Sequence, residues 1–220
     1  MRNNLPRWVV LLLSVYIAVP MIAFLGGCGG VTVIGGTSSV VNSSRLQADV
    51  EAFDRSVQLN VKSAINRALH SRGHVEVTVY NGTVLLTGQV ISREDKTRVN
   101  HAVSRVRRVH KLVSELTISS ETTIMQRARN YALADNIRSD LSKVGDRFPY
   151  IVHVVTEDGV VYLMGIVTRE EADAALTYVG GITGVKRVVD VFEIVSKETA
   201  KLLDARYLSH TRQFDVASDG

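Results

Sequence analysis

Residues 77–90 read VTVYNGTVLLTGQV, and residues 154–167 read VVTEDGVVYLMGIV. Each stretch has an Asn-Gly or Asp-Gly pair between two apolar runs, and the stretches align without a gap at an offset of 77 residues. Both residues of such a pair favour positive φ in the tight turn of a β-hairpin. The sequence therefore predicts two copies of one hairpin, with turns at Gly82 and Gly159.

The similarity continues on both sides of the hairpin. Upstream, apolar residues recur every three or four positions, as on the buried side of an amphipathic helix: Val57, Val61, Ile65 and Leu69 in the first copy, and Leu133, Ile137, Leu141 and Val144 in the second. Downstream, Ser92 and Thr168 each stand three residues before an acid, which is typical of a helix N-cap. A further apolar run at 111–118 or 187–194 predicts a third strand.

Each copy thus predicts the order helix, strand, strand, helix, strand. A small three-stranded sheet needs another layer to bury its apolar face, and two helices per copy provide that layer. We predict an α+β chain of two tandem α-β-β-α-β sandwiches, over residues 49–119 and 120–196. Residues 197–220 follow as a C-terminal tail, in which the spacing of Leu202 and Leu208 permits one short amphipathic helix.

The first 28 residues have the layout of a signal peptide. Arg2 and Arg7 give a basic start, residues 8–25 carry no charge, and Leu25-Gly26-Gly27-Cys28 follows. This ending resembles a bacterial lipobox, so we predict that residues 1–27 are cleaved off and that Cys28 is acylated. The alternative is an uncut transmembrane anchor with a chance cysteine, because an uncharged, mostly apolar run of 18 residues is about the length that spans a bilayer.

Residues 28–48 join this N-terminus to the repeat. After Cys28 they are dominated by Gly, Ser, Thr and Val and show no helical period, which predicts a flexible tether. Gly29 stands where an aspartate would retain a lipoprotein of enteric-type bacteria at the inner membrane. The sequence therefore favours a palmitate-bearing protein that is anchored to the outer membrane and faces the periplasm.

Composition narrows the classes of function. The chain has 220 residues and 1 Cys, and its 6 His lack the spacing of metal ligands, so we expect surface histidines and no metal site. The net charge of +4 falls to +2 when Arg2 and Arg7 leave with the signal peptide, which gives no argument for nucleic acid. The chain contains no P-loop, nucleophile elbow or zinc-protease motif. We therefore predict neither an enzyme nor a cofactor nor a small-molecule substrate.

The repeat resembles the BON domain, and a small set of residues carries the resemblance. They are the turn glycines Gly82 and Gly159, the glycines that close the second strands, Gly88 and Gly165, and the Gly184-Val185 pair before the last strand, where the first copy has Arg108-Val109. With the lipobox and the short tether, the chain is similar to the dual-BON outer-membrane lipoproteins of the DolP type. The resemblance implies a protein that binds anionic phospholipid and supports envelope integrity. The alternative is an adaptor that docks an envelope assembly or a cell-wall partner.

In DolP-type proteins the first helix of the second domain is implicated in lipid binding. At about 100° per residue, Arg127, Tyr131 and Arg138 fall on one flank of that helix, and Lys143 lies beyond the next turn. Guanidinium groups suit phosphate and a tyrosine ring suits the apolar boundary, so these four residues are the predicted lipid contact. Six further basic residues cluster in the first copy: Arg98, Arg105, Arg107, Arg108, His110 and Lys111. The sequence leaves this cluster open between a contact for lipid phosphate and a solvated surface.

Overall fold

The structure is a computed structural model that describes residues 45–46, 48–70, 72–120 and 123–206. Residues 1–27, Cys28, most of the tether and residues 207–220 lie outside the described residues, so the signal peptide and the acylation of Cys28 stay predictions. Across the part of the chain that is described, no helix has both the length and the apolar character needed to cross a membrane.

The first copy contains two helices and four strands in the predicted order. Its elements are α1 (Ala48–Leu69), β1 (His74–Tyr80), β2 (Thr83–Val90), α2 (Arg93–Ser104), β3 (Lys111–Ser114) and β4 (Thr117–Ile118). Ser92 caps α2, because its side chain accepts a hydrogen bond from the backbone N–H of Asp95 over 3.0 Å. The N-cap expected from the sequence is confirmed.

The second copy repeats this order with two differences: a turn and a short helix follow its first helix, and its second strand is divided at Gly165. Its elements are α3 (Ile124–Asp140), a 3₁₀ turn (Leu141–Lys143), the single-turn helix α4 (Phe148–Ile151), β5 (His153–Glu157), β6 (Val160–Met164), β7 (Ile166–Val167), α5 (Arg169–Gly180), β8 (Arg187–Asp190) and β9 (Glu193–Ile194). Residues 197–206 are also helical. Thr168 and Glu171 form a reciprocal capping box at the start of α5.

Both hairpins have the predicted turn. Strands β1 and β2 pair antiparallel with Tyr80 opposite Thr83, and β5 and β6 pair antiparallel with Glu157 opposite Val160. The φ angles of the turn residues are all positive: 47° at Asn81, 71° at Gly82, 48° at Asp158 and 78° at Gly159. The positive φ expected for these turns is therefore confirmed.

The third strand of each copy departs from the prediction. It pairs parallel with the second strand but splits into two pieces, β3 and β4 in the first copy and β8 and β9 in the second. The break faces Gly88 and Gly165, whose φ angles are 103° and 156°. A strand residue with such a φ interrupts the ladder, so one continuous strand over 111–118 or 187–194 is wrong.

Each sheet packs one face against the two long helices of its own copy. In the first copy Val57, Val61, Ile65 and Leu69 of α1 meet Val99 and Val103 of α2 over the inward side chains of β1 and β2. In the second copy Ile137 and Leu141 meet Ala172, Ala175 and Val179 of α5 over Val154, Val161 and Leu163. The predicted α+β fold with two tandem helix-backed sheets is confirmed.

A third apolar cluster joins the two sheets through their other faces. It contains Leu46, Tyr80, Leu85, Tyr162, Met164, Ile166 and Val191, all buried. Strand β2 is consequently buried on both sides from Val84 to Val90. The sequence reasoning had each copy bury only its helix-facing side, and the structure corrects this: the two copies share a core.

The boundary of the tether also needs correction. Residues up to 48 were expected in a flexible spacer, yet Arg45 and Leu46 are 3% and 8% exposed. Arg45 donates to both carboxylate oxygens of Glu171 at 2.7 and 2.8 Å and to Asp204 at 2.9 Å. Because Asp204 lies in helical residues 197–206, these bonds fix both the end of the tether and the start of the predicted tail to the second copy.

Candidate functional site

Helix α3 is held firmly against the second hairpin. Thr123 caps its N-terminus by accepting from the N–H of Gln126 over 3.2 Å. Asn130 is buried, and its side chain accepts from the N–H of Asp158 at 3.1 Å and donates to Glu157 at 3.3 Å. The hydroxyl of Thr156 donates to the carbonyl of Asn130 over 2.5 Å. The outward side chains of α3 therefore project from a rigid support.

The first two turns of α3 present an apolar surface that the sequence reasoning missed. Ile124, Met125 and Tyr131 are 79%, 64% and 55% exposed. The first turn has no acidic residue, and Arg127 lies between these apolar side chains in sequence. Together the four residues Ile124, Met125, Arg127 and Tyr131 are called the α3 surface below. The available signal was the Ile-Met pair directly after the N-cap, outside the core stripe.

Of the four predicted lipid contacts, the structure brings two together. The charge of Arg127 acts on the phenol of Tyr131, as does the charge of Glu76 from β1. Partial burial and Glu76 raise the pKa of Tyr131, and Arg127 opposes them. The phenol is therefore neutral at physiological pH and can act as a hydrogen-bond donor next to a guanidinium.

The other two predicted contacts lie further along and are paired with acids. Arg138 bonds Asp135 at 2.8 Å, and Lys143, in the 3₁₀ turn after α3, bonds Asp140 at 2.6 Å. Both are exposed pairs three residues apart, and solvent screens such pairs strongly. Either cation can exchange its carboxylate partner for another anion, but neither lies in one cluster with Tyr131.

The basic cluster of the first copy divides into two parts. Arg98 pairs with buried Asp95, which also receives Arg72 at 3.4 Å. Arg105, Arg107, Arg108, His110 and Lys111 are exposed and surround the end of α2 and the start of β3; they are called the loop patch below. The guanidinium of Arg108 lies 4.1 Å from the ring centre of Phe53.

One histidine contradicts the expectation of a surface position. His153, in β5, is 8% exposed. Burial, with the nearby charge of Arg138 in second place, lowers its pKa to about 4, so the imidazole is neutral at pH 7. Within the described ranges, no three His, Cys, Asp or Glu side chains are grouped so that they could hold a metal ion.

Comparison with known proteins finds the same two copies that the sequence repeat shows. The family model of the BON domain matches twice, over residues 53–120 and 132–196. The outer membrane lipoprotein DolP of Haemophilus influenzae is 30% identical over 173 residues, which cover 77% of this chain and 90% of the relative. A 21 kDa hemolysin of Actinobacillus pleuropneumoniae is 26% identical over 153 residues, covering 70% of this chain and 78% of the relative.

Among solved structures, CdsD, a structural protein of the type III secretion system of Chlamydia trachomatis, matches with a TM-score of 0.28 and 16% identity. The match covers 67% of this chain and 98% of that one. The two family matches and the relative that is 30% identical agree with each other. The chain therefore belongs to the BON-domain family, as a dual-BON protein of the DolP type.

Proposed function

We propose that the protein is an outer-membrane lipoprotein, facing the periplasm, that binds anionic phospholipid through the α3 surface and so supports envelope integrity. The observation that carries the proposal is the exposure of Ile124, Met125 and Tyr131 around Arg127. Apolar side chains enter the boundary of a bilayer while a guanidinium meets its phosphates. Homology to an outer membrane lipoprotein of Haemophilus influenzae supports a BON-domain protein of the envelope.

The proposal requires that the chain be anchored near the bilayer, and Cys28 is the proposed anchor. Only 16 residues separate Cys28 from the buried Arg45. A flexible segment of that length has a root-mean-square span of about 20–25 Å. The folded part is then held at high effective concentration beside the membrane, where even a weak headgroup contact is populated.

Metabolic labelling with a palmitate analogue tests the anchor. We expect label on the wild-type protein and none on Cys28→Ala, because the thiol is the acceptor of the acyl group. Equal label on both proteins would contradict acylation at Cys28 and favour the uncut transmembrane anchor.

Flotation with phospholipid vesicles tests the lipid contact. The acyl-free protein, residues 29–220, is mixed with vesicles that contain phosphatidylglycerol or cardiolipin, and with neutral vesicles. We expect flotation only with the anionic vesicles. Each cation near such a surface contributes about 1 kcal/mol, so Arg127→Ala/Arg138→Ala should lower partitioning roughly 10- to 30-fold. The loss should shrink at high salt, which screens exposed charges.

A matched variant separates a role of helix α3 from a general effect of charge. Lys62 and Arg67 are exposed on α1, so Lys62→Ala/Arg67→Ala removes the same charge from the first copy. We expect this variant to float like the wild type. If the wild type does not float, or if both double variants lose flotation equally, the lipid proposal fails. The non-catalytic adaptor then becomes the better account of the protein.

A further inference from the structure

The loop before the last strand is basic in both BON domains, but only the second domain neutralises it. Lys186 bonds Asp158 in the neighbouring hairpin turn at 3.2 Å. Arg187 reaches out of its own domain and bonds Glu115 of the first domain at 3.3 Å. In the second domain this loop thus binds two carboxylate side chains, and one of them, that of Glu115, belongs to the other domain.

In the first domain the equivalent loop carries the loop patch, but the acidic partners found in the second domain are missing. His110 and Lys111 correspond to Lys186 and Arg187, while Asn81 stands where the second domain has Asp158. Across the described part of the chain, none of the five loop-patch residues forms a salt bridge with an acid: Arg105, Arg107, Arg108, His110 and Lys111.

Two carboxylates do lie near the loop patch, and both are engaged. Asp54 lies close enough to His110 for the charge of His110 to act on it, and it accepts from the N–H groups of Asn81 and Gly82 at 2.6 and 2.9 Å. Glu193 of the second domain accepts from the side chain of Asn81 at 2.7 Å. Neither neutralises the three arginines of the loop.

The loop patch is also fixed in shape. The N–H of His110 donates to the carbonyl of Gly82 at 2.9 Å, and its ring lies so close to Gly82 that a Cβ there would be 2.4 Å from Nδ1. Arg108 takes a φ of 71°, and its guanidinium rests on Phe53 at 4.1 Å. Cations that are ordered before binding lose less entropy when an anion arrives.

The chemistry of the loop patch differs from that of the α3 surface. The apolar residues that lie between those of the loop patch, Val106 and Val109, are only partly exposed. In contrast, Ile124 and Met125 are among the most exposed apolar residues of the described chain. A surface of guanidinium, imidazole and ammonium groups offers no apolar side chain that could enter a bilayer. It suits carboxylates, which guanidinium groups bind with two parallel hydrogen bonds.

We propose that the loop patch docks an acidic segment of a partner polypeptide, as the equivalent loop of the second domain docks Glu115. The proposal is independent of the lipid function, because it uses another domain and another kind of ligand. The partner is defined by its chemistry: an accessible segment with a run of Asp or Glu side chains.

The test uses the full chain in a neutral detergent with fluorescein-labelled hexaglutamate as the probe, followed by fluorescence anisotropy. We expect wild-type binding and about 3- to 10-fold weaker binding by Arg105→Gln/Arg107→Gln, since exposed ion pairs are individually modest. Both side chains are exposed, so the variant should keep its fold, which circular dichroism verifies. The matched control Lys62→Gln/Arg67→Gln removes equal charge from α1 and should bind like the wild type.

Three outcomes would overturn the proposal. One is a wild type that does not bind hexaglutamate at low salt, and another is an equal loss in the α1 control, which would mean unspecific attraction. The third concerns competition by monomeric dihexanoyl phosphatidylglycerol and by unlabelled hexaglutamate, compared at equal concentrations of negative charge. Displacement of the labelled peptide by the lipid but not by hexaglutamate would overturn the proposal. That result would make the loop patch a site for lipid headgroups instead.

Discussion

The two BON domains stabilise the same hairpin turn with different chemistry. In the first domain the carboxylate of Asp54 accepts from the N–H groups of Asn81 and Gly82. In the second domain the amide of Asn130, 76 residues later, accepts from the N–H of Asp158. Either group satisfies the turn, which shows that the fold fixes where an acceptor stands and leaves its charge free to vary.

A second difference lies where the BON resemblance failed in the first copy. Gly184 has a φ of 95°, and Arg108 takes a φ of 71° at the equivalent position. A residue other than glycine is strained in this region, and the contact of Arg108 with Phe53 offsets part of that strain. The replacement of glycine by Arg108 therefore changes the side chain on the surface but keeps the positive φ of the backbone.

A third difference concerns the acid at the start of the second long helix. Asp95 in the first domain is paired with Arg72 and Arg98 of the same domain. Glu171 in the second domain is paired with Arg45, which lies before α1. Burial raises the pKa of Glu171, but the bonds from Arg45 and Thr168 together outweigh burial and hold that pKa below its usual value. The second domain thus depends on residues outside its own repeat.

The largest expected effect comes from a feature that the two domains share. A Cβ on Gly88 would lie 2.2 Å from the carbonyl oxygen of His74, and on Gly165 it would lie 2.3 Å from that of Ile151. The first oxygen belongs to β1 and the second to the last residue of α4, so relief of either clash requires the backbone of a packed element to shift. We expect Gly88→Ala and Gly165→Ala each to lower the free energy of unfolding by at least about 3 kcal/mol, measured by urea denaturation.

Gly180 supplies the control for this comparison. It ends α5, and a Cβ there would meet nothing within 4 Å. Gly180→Ala should be neutral or stabilise the protein by up to about 1 kcal/mol. A small effect at Gly88 or Gly165 would show that the two copies do not need the glycine in the same way.

The next effect should separate the domains. Arg45 is buried and bonds Glu171 and Asp204, and Asp204 also bonds Arg147, so Arg45→Met leaves Glu171 without its cation and should cost about 3 kcal/mol. The side chain of Arg72 is 54% exposed, so Arg72→Met should cost less than about 1 kcal/mol despite the buried partner Asp95. Urea denaturation of both variants measures the difference, and equal losses would contradict the stabilising role of Arg45.

A smaller effect depends on pH and belongs to the second domain alone. His153 is neutral in the folded protein with a pKa of about 4, while an unfolded histidine has a pKa of about 6.5. The unfolded chain therefore binds a proton first as the pH falls, so stability is lost between about pH 6.5 and pH 4. From pH 7 to pH 5 we expect a loss of about 2 kcal/mol from this residue.

The variant His153→Gln should flatten that dependence. Urea denaturation at pH 7 and pH 5 measures both proteins, and the readout is the difference between the two pH values, which is independent of any general destabilisation. An equal drop in wild type and variant would place the titrating group elsewhere. Glu76 occupies the corresponding position of the first domain, so no matching loss is expected there.

Much of the fold could be predicted because each copy of the repeat has a recognisable turn sequence. The pairs Asn81-Gly82 and Asp158-Gly159 fix the hairpins, and the alignment of the copies fixes the element order. The shared core was missed although β2 and β6 show it: Leu85-Leu86 and Tyr162-Leu163-Met164 put apolar residues on both faces of a strand. Strands that are buried on both sides read as continuous apolar runs.

The candidate site was harder to predict for two physical reasons. The residues Arg127, Tyr131 and Arg138 share a helix flank, but a flank assigned from helix angles alone does not take account of Asp135, which pairs with Arg138 from three residues before it. Arg45 stands alone among Gly, Ser and Val, and its partners Glu171 and Asp204 are more than 120 residues away. Long-range ion pairs of this kind leave no local pattern.

The central claim is that the second domain, and not the first, meets the bilayer through its first helix. Residues 29–220 contain no cysteine, so an environment-sensitive NBD label can be attached to Ile124→Cys on α3 or to Leu59→Cys on α1. Both side chains are highly exposed, at 79% and 68%, so each label starts in water.

The measurement is the NBD emission of each labelled protein on addition of phosphatidylglycerol vesicles. The account predicts a blue shift and an increase in intensity for the label at 124, none for the label at 59, and none for either label with neutral phosphatidylcholine vesicles. No change at 124, or equal changes at 124 and 59, would contradict it.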